Sequence, residues 1–368
     1  MIDSLIYKIK DSVDLFLSDN KYITAYYMNT RQRKRFKVNE AFVHLLENID
    51  GERTIRGLKE VMSREYDIVG DDVENVIQML LDNRIITEVN NSIVLDEVDT
   101  ERYTRQINYF SEFLGSEEAG LKAQKKVNDT HIMIFGCGAV GGDIALELVM
   151  AGVRKITLFD YDKVEKSDVS RHMFYSCEAL GTPKTEALKR KLEQIDEKVV
   201  VNTINQSLRP EDDLEYAITA ADFVVNTLDE PYIGYTSSKI SRVCIKHSIP
   251  HFIAGGFDAH LASTGELIVP YVTPCVECYA THFKETLKDW KPRKHPVKMR
   301  YTEIGGLASM SLFSASFAAV EIIKYIAGLV EMKENFKVRG ELLFNDLSLT
   351  FLDVKKNPEC PICGGTIK

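Results

Sequence analysis

The chain has 368 residues, of which 45% are hydrophobic and 27% are charged, a composition typical of a folded globular protein with room for two domains or more. Its formal net charge of −9 argues against nucleic acid or an anionic membrane as the main partner. Seven cysteines, four of them in two C-x-x-C pairs, and an N-terminus without a secretion-signal pattern predict a metal-binding protein of the reducing cytoplasm.

The first hundred residues predict a small domain that mixes strands and helices. Residues 1–30 alternate short apolar and polar runs, which predicts three short antiparallel strands. Helical spacing begins after Asn39, the expected cap, and indicates three helices, over 41–48, 54–66 and 71–83. Residues 85–95 predict a hairpin with an Asn-Asn turn, which completes a domain over 1–95.

This order of strands, three helices and a hairpin is typical of a winged helix. A DNA-reading role is disfavoured, because the third helix holds four acids, Asp71, Asp72, Glu74 and Asp82, against Arg84 just beyond it. The arrangement is similar to the PqqD-like peptide-recognition domain, in which a leader peptide adds as a strand to the exposed sheet edge and rests on the third helix. A structural or dimerising appendage is the alternative.

Residues 131–141 carry the central motif of the chain. Four residues up to Phe135 read as a buried parallel strand, and Gly136, Gly138 and Gly141 follow with the G-x-G-x-x-G spacing. A helix opens directly from these glycines. The backbone can therefore turn tightly, approach a phosphate and point free N–H groups at it. The alternative is a glycine turn in an unrelated α/β protein.

A second strand, over 155–159, strengthens the case for nucleotide binding. It ends at Asp160, which lies 19 residues after Gly141, where a ribose hydroxyl would need a carboxylate acceptor. Strand, glycines, helix, strand and acid together predict a nucleotide-binding half-sheet. We expect an α/β fold with a doubly wound, Rossmann-like and mostly parallel sheet.

Charged residues follow the second and third strands of this predicted sheet. Arg171 and Lys184 lie on the loop and the helix start beyond the second strand, where they can clamp a triphosphate. The third strand, 223–226, runs into Asp229 at the ligand edge of the sheet, and a carboxylate there would suit Mg²⁺. Arg105, before the nucleotide motif, indicates anion binding, although its R-Y-x-R context also fits a solvated helix start.

Two cysteine pairs give the strongest metal signal in the chain. Cys275 and Cys278 form one pair, Cys360 and Cys363 form the other, and 81 residues lie between the pairs. Four thiolates in two such pairs fit tetrahedral Zn²⁺ without an open position, in a knuckle that pins the C-terminus onto the domain. A redox role is the alternative, but the other three cysteines are scattered and are expected to be core thiols.

Taken in chain order, these motifs resemble the ubiquitin-activating-enzyme-like adenylating family, which includes the ThiF- and MoeB-type enzymes. The elements R-Y-x-R-Q, G-x-G-x-x-G, D-x-D, Arg, G-x-P-K, Asp and two C-x-x-C pairs follow the family's order over about 70% of the chain, residues 101–365. The chain length and the added N-terminal domain are most similar to the peptide-adenylating enzymes of the microcin-C type. The resemblance implies an adenylating domain over 101–368.

The resemblance also implies ATP, Mg²⁺ and Zn²⁺ as ligands. The implied residues are Asp160 and Asp162 for the ribose and its surroundings, Arg171 and Lys184 for the phosphates, and Asp229 for Mg²⁺. Arg105 would reach the triphosphate bound by the partner subunit as an arginine finger, which makes the working unit a homodimer.

Two positions depart from the family pattern. Asp168 and His172 stand where the family usually has Asn and Gln. A unit charge about 4 Å from a phosphate, in an effective dielectric near 20, is worth roughly 4 kcal/mol. Asp168 should therefore weaken ATP binding unless Mg²⁺ or an arginine offsets its charge, so the site is expected to be retuned or Asp168 to act on the nucleotide directly.

The region 279–305, after the first cysteine pair, contains no cysteine, so a thioester step on the enzyme is not expected. The region is basic, which would suit a mobile lid over an acidic peptide tail and ATP, and a solvated loop is the alternative. The apolar stretch 307–330 carries Glu321 and Lys324. We expect it to form a buried or interface helix rather than a membrane span.

These features predict an ATP-dependent enzyme that adenylates a peptide carboxylate in the biosynthesis of a ribosomally made, modified peptide, with condensation or cyclisation to follow. Three alternatives remain open. The substrate could be a sulfur-carrier protein ending in Gly-Gly. The protein could be a nicotinamide-dependent oxidoreductase, although Arg171, Lys184 and the zinc knuckle speak against that. It could also be a non-catalytic, peptide-presenting scaffold with a degenerate nucleotide site.

Overall fold

The structure is a computed structural model that describes residues 2–19, 21–89, 94–230, 232–258, 261–286, 305–331 and 339–364. The chain divides into two compact units, Met1–Lys125 and Lys126–Lys368, here called the N-terminal unit and the C-terminal unit. The basic part of the predicted lid, the Asn-Asn turn of the predicted hairpin and the end of the second cysteine knuckle lie outside the described residues.

The N-terminal unit contains six described strands and six helices. The strands are β1 (Ile6–Ile9), β2 (Val13–Ser18), β3 (Tyr22–Tyr27), β4 (Gln32–Lys37), β5 (Asp50–Thr54) and β6 (Ile86–Glu88). The helices are α1 (Glu40–Asn48), α2 (Ile55–Tyr66), α3 (Gly70–Asp82), α4 (Glu97–Arg102), α5 (Thr104–Leu114) and α6 (Glu117–Asp129), the last of which runs past the unit boundary.

Two small antiparallel sheets organise the N-terminal unit. One has the order β5-β1-β6 and the other β2-β3-β4. The predicted helix starts are confirmed, because the side chains of Asn39 and Thr54 accept the backbone N–H groups of Phe42 and Gly57 and so cap α1 and α2. Apolar faces of the first three helices pack into one core with the strands, whose most buried members include Ile55, Leu58, Met62, Val73 and Leu80.

The sequence pattern missed two strands of this unit. Strand β4 was not predicted because five of its six residues are exposed, which leaves no apolar alternation to read. Asp50-Gly51 looked like a helix end, but both residues belong to β5, which pairs with β1. Strand β6 also pairs with β1, rather than with a hairpin neighbour among the described residues.

The C-terminal unit is an α/β fold. Its strands are β7 (His131–Phe135), β8 (Lys155–Phe159), β9 (Val200–Ile204), β10 (Phe223–Asn226), β11 (His251–Ile253), β12 (Phe257–Asp258), β13 (Leu261–Ser263), β14 (Glu266–Ile268), β15 (Gly340–Leu343) and β16 (Leu349–Phe351). Its helices are α7 (Ala139–Met150), α8 (Lys184–Ile195), α9 (Glu215–Thr219), α10 (Ile233–Lys246), α11 (Val276–Thr286) and α12 (Ala308–Ala327).

The main sheet of this unit has the order β14-β11-β10-β7-β8-β9. All neighbouring strands run parallel except β14, which is antiparallel to β11. The chain moves outward from β7 through β8 to β9 and then crosses to β10 on the other side. The strand order therefore reverses between β7 and β10, and in such sheets ligands bind at the carboxyl ends of the strands at that point.

Helix α12 is long and apolar enough to cross a membrane by length and composition alone. More than half of its most apolar window is buried inside the protein, and the helix packs along α7. Glu321 on this helix is buried and forms an ion pair with Lys324. The expectation of a buried helix is therefore confirmed.

Candidate nucleotide site and cysteine cluster

The glycine turn between β7 and α7 is shaped by close backbone contacts. Gly136 adopts φ +97°, and its N–H donates to the carbonyl oxygen of Phe159 at 2.8 Å. A Cβ on Gly141 would lie 2.1 Å from the carbonyl oxygen of Gly136, so only glycine fits there. A Cβ on Gly138 would meet no protein atom within 4 Å. Gly138 therefore faces open space at the start of α7, which is where a phosphate can approach the backbone.

Asp160 ties this turn to the end of β8. One carboxylate oxygen accepts the N–H of Cys137 at 2.6 Å, and the other accepts the N–H of Asp162 at 2.8 Å. Burial raises the pKa of Asp160, and these two backbone donors oppose the rise. Tyr175, which the sequence did not single out, adds a second tie, since its hydroxyl donates to the carbonyl oxygens of Cys137 and Lys184.

Four of the predicted phosphate and ribose residues form one cluster beyond β8. The ammonium nitrogen of Lys184 lies 3.1 Å from a carboxylate oxygen of Asp162 and 3.7 Å from one of Asp168. The guanidinium of Arg171 lies 3.3 Å from the other oxygen of Asp168. The acid that was expected to repel phosphates is therefore flanked by both predicted phosphate-binding cations.

The surroundings of this cluster determine the charge of Lys184 and the position of Asp168. Burial lowers the pKa of the Lys184 ammonium, but the carboxylates of Asp162 and Asp168 more than offset this and leave that pKa above its ordinary value. Asp168 is 2% exposed, and its carboxylate also accepts the N–H of Glu165. Lys184 thus stays cationic at neutral pH, and its charge is available once a phosphate displaces a carboxylate.

His172 occupies the second position that departs from the family pattern. Its Nδ1 lies 2.7 Å from the carbonyl oxygen of Asp168, and the ring packs against Phe174 and Tyr175. Its buried Nε2 has no hydrogen-bond partner among the described residues. Burial lowers the pKa of His172, opposed by the Asp168 carbonyl and carboxylate, so the ring is neutral at pH 7. A neutral, stacked ring explains why this position tolerates histidine beside two cations.

Asp229 lies exposed just past the end of β10, at the carboxyl edge of the sheet. Its neighbour Glu230 accepts a short hydrogen bond from the hydroxyl of Tyr161, which follows β8. The loops after β8 and β10 therefore meet above β7. Asp229 is on the same edge as Gly138 and Lys184, as the sequence predicted, and its oxygens suit a hard divalent cation.

Arg105 belongs to the N-terminal unit, where it lies exposed on α5. The structure thus places nine of the ten predicted nucleotide-site residues on one edge of the C-terminal sheet, and Arg105 on a separate unit.

Asp143, one turn into α7, was missed by sequence reasoning. It is 1% exposed, and neither of its carboxyl oxygens has a hydrogen-bond partner among the described residues. Burial, with a smaller contribution from Glu147, raises the pKa of Asp143 to about 7. Nothing in the sequence marks it, because an acid in a helix is usually solvated and the packing partner α12 is far along the chain.

The four cysteines of the two C-x-x-C pairs form one buried cluster. Their sulfur atoms all lie within 4.8 Å of one another. The separations are 3.9 Å between Cys275 and Cys278, 3.5 Å between Cys275 and Cys360, and 3.6 Å between Cys278 and Cys363. Four sulfurs bound ~2.3 Å from one zinc ion lie about 3.8 Å apart, so the cluster has the donor set and spacing of a closed zinc site.

Comparison with known proteins agrees with this geometry. A model of the ThiF family matches residues 103–362. The chain is 29% identical to the protein HesA, vegetative, of Trichormus variabilis over 73% of this chain and 91% of that one. It is 26% identical to the sulfur carrier protein ThiS adenylyltransferase of Escherichia coli over 74% of this chain and 98% of that one.

Among solved structures, the fold resembles that of Escherichia coli MccB in complex with succinimide. The TM-score is 0.72 at 20% sequence identity, with 98% of this chain and 99% of that chain covered. Other structures of Escherichia coli MccB hold ATP or MccA, with TM-scores of 0.69 and 0.71.

A doubly wound sheet with a glycine turn, a flanking lysine and arginine and a four-cysteine cluster defines a nucleotide-binding α/β protein. The family match extends over more than half of the residues, so the chain belongs to the ThiF family. It is an ATP-dependent adenylyltransferase, and the predicted resemblance is confirmed.

Proposed function

We propose that this adenylyltransferase activates a peptide carboxylate in the biosynthesis of a ribosomally made, modified peptide. The observation that carries the proposal is the pairing of Lys184 and Arg171 around Asp168 beside the open Gly138 turn. The structures of MccB with ATP and with MccA support the choice of a nucleotide and a peptide as substrates.

The chemistry needs no nucleophile from the enzyme. A carboxylate oxygen of the peptide attacks the α-phosphorus of ATP, a new oxygen–phosphorus bond forms, and the bond to the β-phosphate breaks to release pyrophosphate. The catalytic residues position the reactants and neutralise charge: Lys184 and Arg171 at the phosphates, and Asp229 as the ligand of Mg²⁺, which would offset the pyrophosphate charge. An amine, amide or sulfur source then attacks the mixed anhydride, releasing AMP and giving condensation or cyclisation.

Binding of the nucleotide would follow from the cradle described above. Gly136, Gly138 and Gly141 would let the backbone approach the phosphates, and Asp160 and Asp162 would hold the ribose side. Asp168 would keep Lys184 and Arg171 poised until the triphosphate arrives. The four-cysteine cluster would hold Zn²⁺ as a structural ion, remote from the transfer step.

Peptide capture is assigned to a domain over residues 1–95 with the PqqD-like, winged-helix character predicted from sequence. Strand β4 is an edge strand of its sheet in the described residues, so its outer side offers backbone groups for strand addition. The end of α3 lies beside it, since Asn83 accepts hydrogen bonds from Lys34 and Tyr27. The adenylating domain would then extend over 101–368.

The working unit would be a homodimer in which Arg105 of each subunit reaches the triphosphate held by the other. Its exposed position on α5 supports this assignment, because an arginine finger must project from its own chain. The expected cytoplasmic location, and the absence of nucleic acid or membrane partners, remain predictions of composition and charge.

A second substrate class, a small sulfur-carrier protein ending in Gly-Gly, is favoured by the similarity to the ThiS adenylyltransferase of Escherichia coli. Its chemistry would be the same up to the acyl-adenylate. Comparing pyrophosphate release with peptides encoded beside the gene and with Gly-Gly-ended carriers would separate the two.

The test of adenylation is isotope exchange between ATP and pyrophosphate in the presence of a peptide encoded next to the gene. We predict that Lys184→Ala abolishes exchange while the protein stays folded, because the phosphates lose their buried cation. Lys189→Ala, on the same helix but turned toward Glu193, is the matched control and should keep exchange. Full exchange in the Lys184 variant would contradict the assignment.

A further inference from the structure

Strand β4 carries an unusual concentration of positive charge. Four of its six residues are lysines or arginines. The segment 21–37, counted with both ends, holds six such residues and no acid, on a chain whose net charge is −9. Five of the six β4 residues are exposed, and no described strand pairs with the outer edge of β4. An exposed edge strand is a template for a further strand unless something blunts it, and lysines or arginines are a common device for that.

Two of these cations lie over tyrosine rings of the neighbouring strand β3. The guanidinium carbon of Arg35 lies 4.1 Å from the ring centroid of Tyr22, and that of Arg33 lies 5.4 Å from the ring centroid of Tyr26. These cation–π contacts reduce the conformational entropy that the arginines would lose on binding a partner. The β4 cations are therefore arranged to bind and not only to repel.

The register shows which backbone groups are free. The N–H of Val38 donates to the carbonyl oxygen of Lys21 at 2.8 Å, one step beyond the pair formed by Tyr22 and Lys37. In an antiparallel ladder, opposed pairs alternate between hydrogen-bonded and non-hydrogen-bonded. The even-numbered residues of β4 therefore bond to β3, and the odd-numbered residues point their N–H and C=O groups at the outer edge.

The odd-numbered residues are Arg33, Arg35 and Lys37, and their side chains share one face of the sheet because side chains alternate along a strand. A strand added antiparallel at the outer edge would bond to these three residues. The residue opposite each would then place its side chain on the same face, next to a cation.

We propose that the peptide segment captured at β4 carries carboxylates at every second position, opposite Arg33, Arg35 and Lys37. This inference rests on the proposed capture of a peptide by the N-terminal unit and adds the chemistry of the segment. A segment of the form x-Glu-x-Glu-x-Glu, with Asp equally suitable, satisfies the backbone of the edge and all three cations at once.

Single-stranded nucleic acid is the competing polyanion. It binds sheet faces by stacking bases on open aromatic rings. On this sheet, guanidinium groups already lie over the rings of Tyr22 and Tyr26, and the ammonium of Lys34 lies 5.6 Å from the ring centroid of Tyr27. The unpaired N–H and C=O groups at the edge of β4 also match the backbone of a peptide strand better than that of a nucleotide chain.

The experiment uses the full chain and three labelled ten-residue peptides, with binding followed by fluorescence anisotropy. One peptide alternates threonine and glutamate, one has the same composition with five threonines followed by five glutamates, and one alternates threonine and glutamine. We expect the alternating acidic peptide to bind about ten-fold more tightly than either of the others, since opposite charges directly across two strands each contribute modestly. Added salt should remove most of that difference.

Paired variants connect the preference to β4. Arg33→Glu with Arg35→Glu should abolish the preference for the alternating acidic peptide. Arg56→Glu with Arg64→Glu makes the same change in net charge at two exposed helix positions of the same unit and should leave the preference intact. Circular dichroism and thermal unfolding of both variants check that they are folded.

The outcomes separate this inference from the proposed function. Equal binding of the alternating glutamate and glutamine peptides, each blocked by the other, would leave strand capture standing and overturn the acidic pattern. Failure of all three peptides to bind would overturn both the acidic pattern and the capture of a peptide strand at β4. Tighter binding of a ten-nucleotide oligothymidylate, lost in the Arg33 and Arg35 variant and kept in the control, would overturn the peptide in favour of nucleic acid.

Discussion

Asp168 determines the charge of the phosphate site before a nucleotide arrives. An unpaired carboxylate there would oppose a nearby phosphate by roughly 4 kcal/mol. In the structure its two oxygens face Arg171 and Lys184, so the three groups together carry one net positive charge instead of two. The acid lowers the attraction for ATP, but it also holds both cations in position while the site is empty.

Asp143 imposes a cost on folding that depends on pH. Its pKa rises from an ordinary value near 3.8 to about 7 because the carboxyl group is buried. Below pH 3.8 the group is protonated in both the folded and the unfolded chain and costs nothing. Between pH 3.8 and 7 the unfolded chain gains the charge first, so stability falls as pH rises, by roughly 4 kcal/mol in all.

We predict that Asp143→Asn stabilises the protein at pH 8 and changes its stability little at pH 4. Asparagine has the same shape without the buried charge, so the loss of stability between these pH values should shrink. Thermal unfolding at the two pH values measures this. Glu178→Gln, at an exposed position, is the control and should not alter the pH profile. An Asp143→Asn protein that is less stable than the wild type at pH 8 would show that the carboxylate is paired when folded.

Individual residues of the site could be predicted where a spacing rule exists. The interval from Gly141 to Asp160 and the G-x-P-K pattern both indicated side chains that the structure brings to one edge of the sheet. The ion pairs around Asp168 could not be predicted, because they depend on how the loop after β8 folds back onto the start of α8. Asp143 was equally hard to predict, since its burial depends on how α7 packs in the folded protein.

The glycine turn is the element on which nucleotide binding depends, and its glycines differ in their tasks. Gly141 has no room for a side chain, because a Cβ would collide with the carbonyl oxygen of Gly136. Gly138 has room for one within the protein alone. Its task must therefore be to leave space for something that the protein does not itself supply.

We predict that Gly138→Ala folds normally but binds ATP at least about ten-fold more weakly, because the new methyl group occupies the path of the phosphates. Gly141→Ala is the matched comparison, and it should lower the stability of the fold itself by roughly 2 kcal/mol or more. Thermal unfolding and calorimetric titration with ATP and Mg²⁺ distinguish the two effects. Normal ATP affinity in the Gly138 variant would place the phosphates elsewhere.

Strand β4 shows why some elements escape a reading of the sequence. A strand is recognised by apolar alternation, and β4 has none because its outer face carries cations over tyrosine rings. Three strands of the main sheet, β7, β8 and β10, were predictable because they are largely buried and read as apolar runs, whereas β9 and β11 were not predicted. The exposed cations of β4 therefore remove the apolar alternation by which a strand is recognised in a sequence.

At the scale of the whole molecule, the cysteine cluster joins two segments that lie far apart in the sequence, around Cys275 and around Cys360. We predict that the purified protein contains one zinc ion per chain and that Cys360→Ser removes it and lowers the unfolding temperature. A metal that closes a long loop stabilises the folded chain over the unfolded one. Elemental analysis and thermal unfolding measure both effects. Cys177→Ser, at an exposed cysteine outside the cluster, is the control, and retention of zinc by the Cys360 variant would rule out a four-thiolate site.

The proposed homodimer makes a prediction that only mixed subunits can test. Arg105→Ala and Lys184→Ala proteins should each be inactive alone. When they are mixed and allowed to exchange subunits, half of the dimers are hybrids with one complete site. Activity should then return to about a quarter of the wild-type value. If both variants are inactive alone, no recovery in a mixture shown to exchange subunits would mean that Arg105 acts within its own chain.

The arrangement of the whole sheet was predictable in class but not in detail. The order of motifs indicated a doubly wound fold, and the reversal of strand order between β7 and β10 agrees with it. The antiparallel strand β14 and the small sheet of β12, β13, β15 and β16 were not predicted. Their short strands pair across distant segments, and no local pattern encodes such pairing.

The central claim is that a triphosphate lies across the glycine turn with its charge neutralised by Lys184 and Arg171. A crystal structure of the protein with ATP and Mg²⁺ tests it most directly. We predict phosphate oxygens about 2.7–2.9 Å from the Lys184 ammonium and the Arg171 guanidinium, with the backbone of Gly138 alongside. A nucleotide bound away from this turn, or both cations still paired with Asp168 and facing away from the phosphates, would contradict the account.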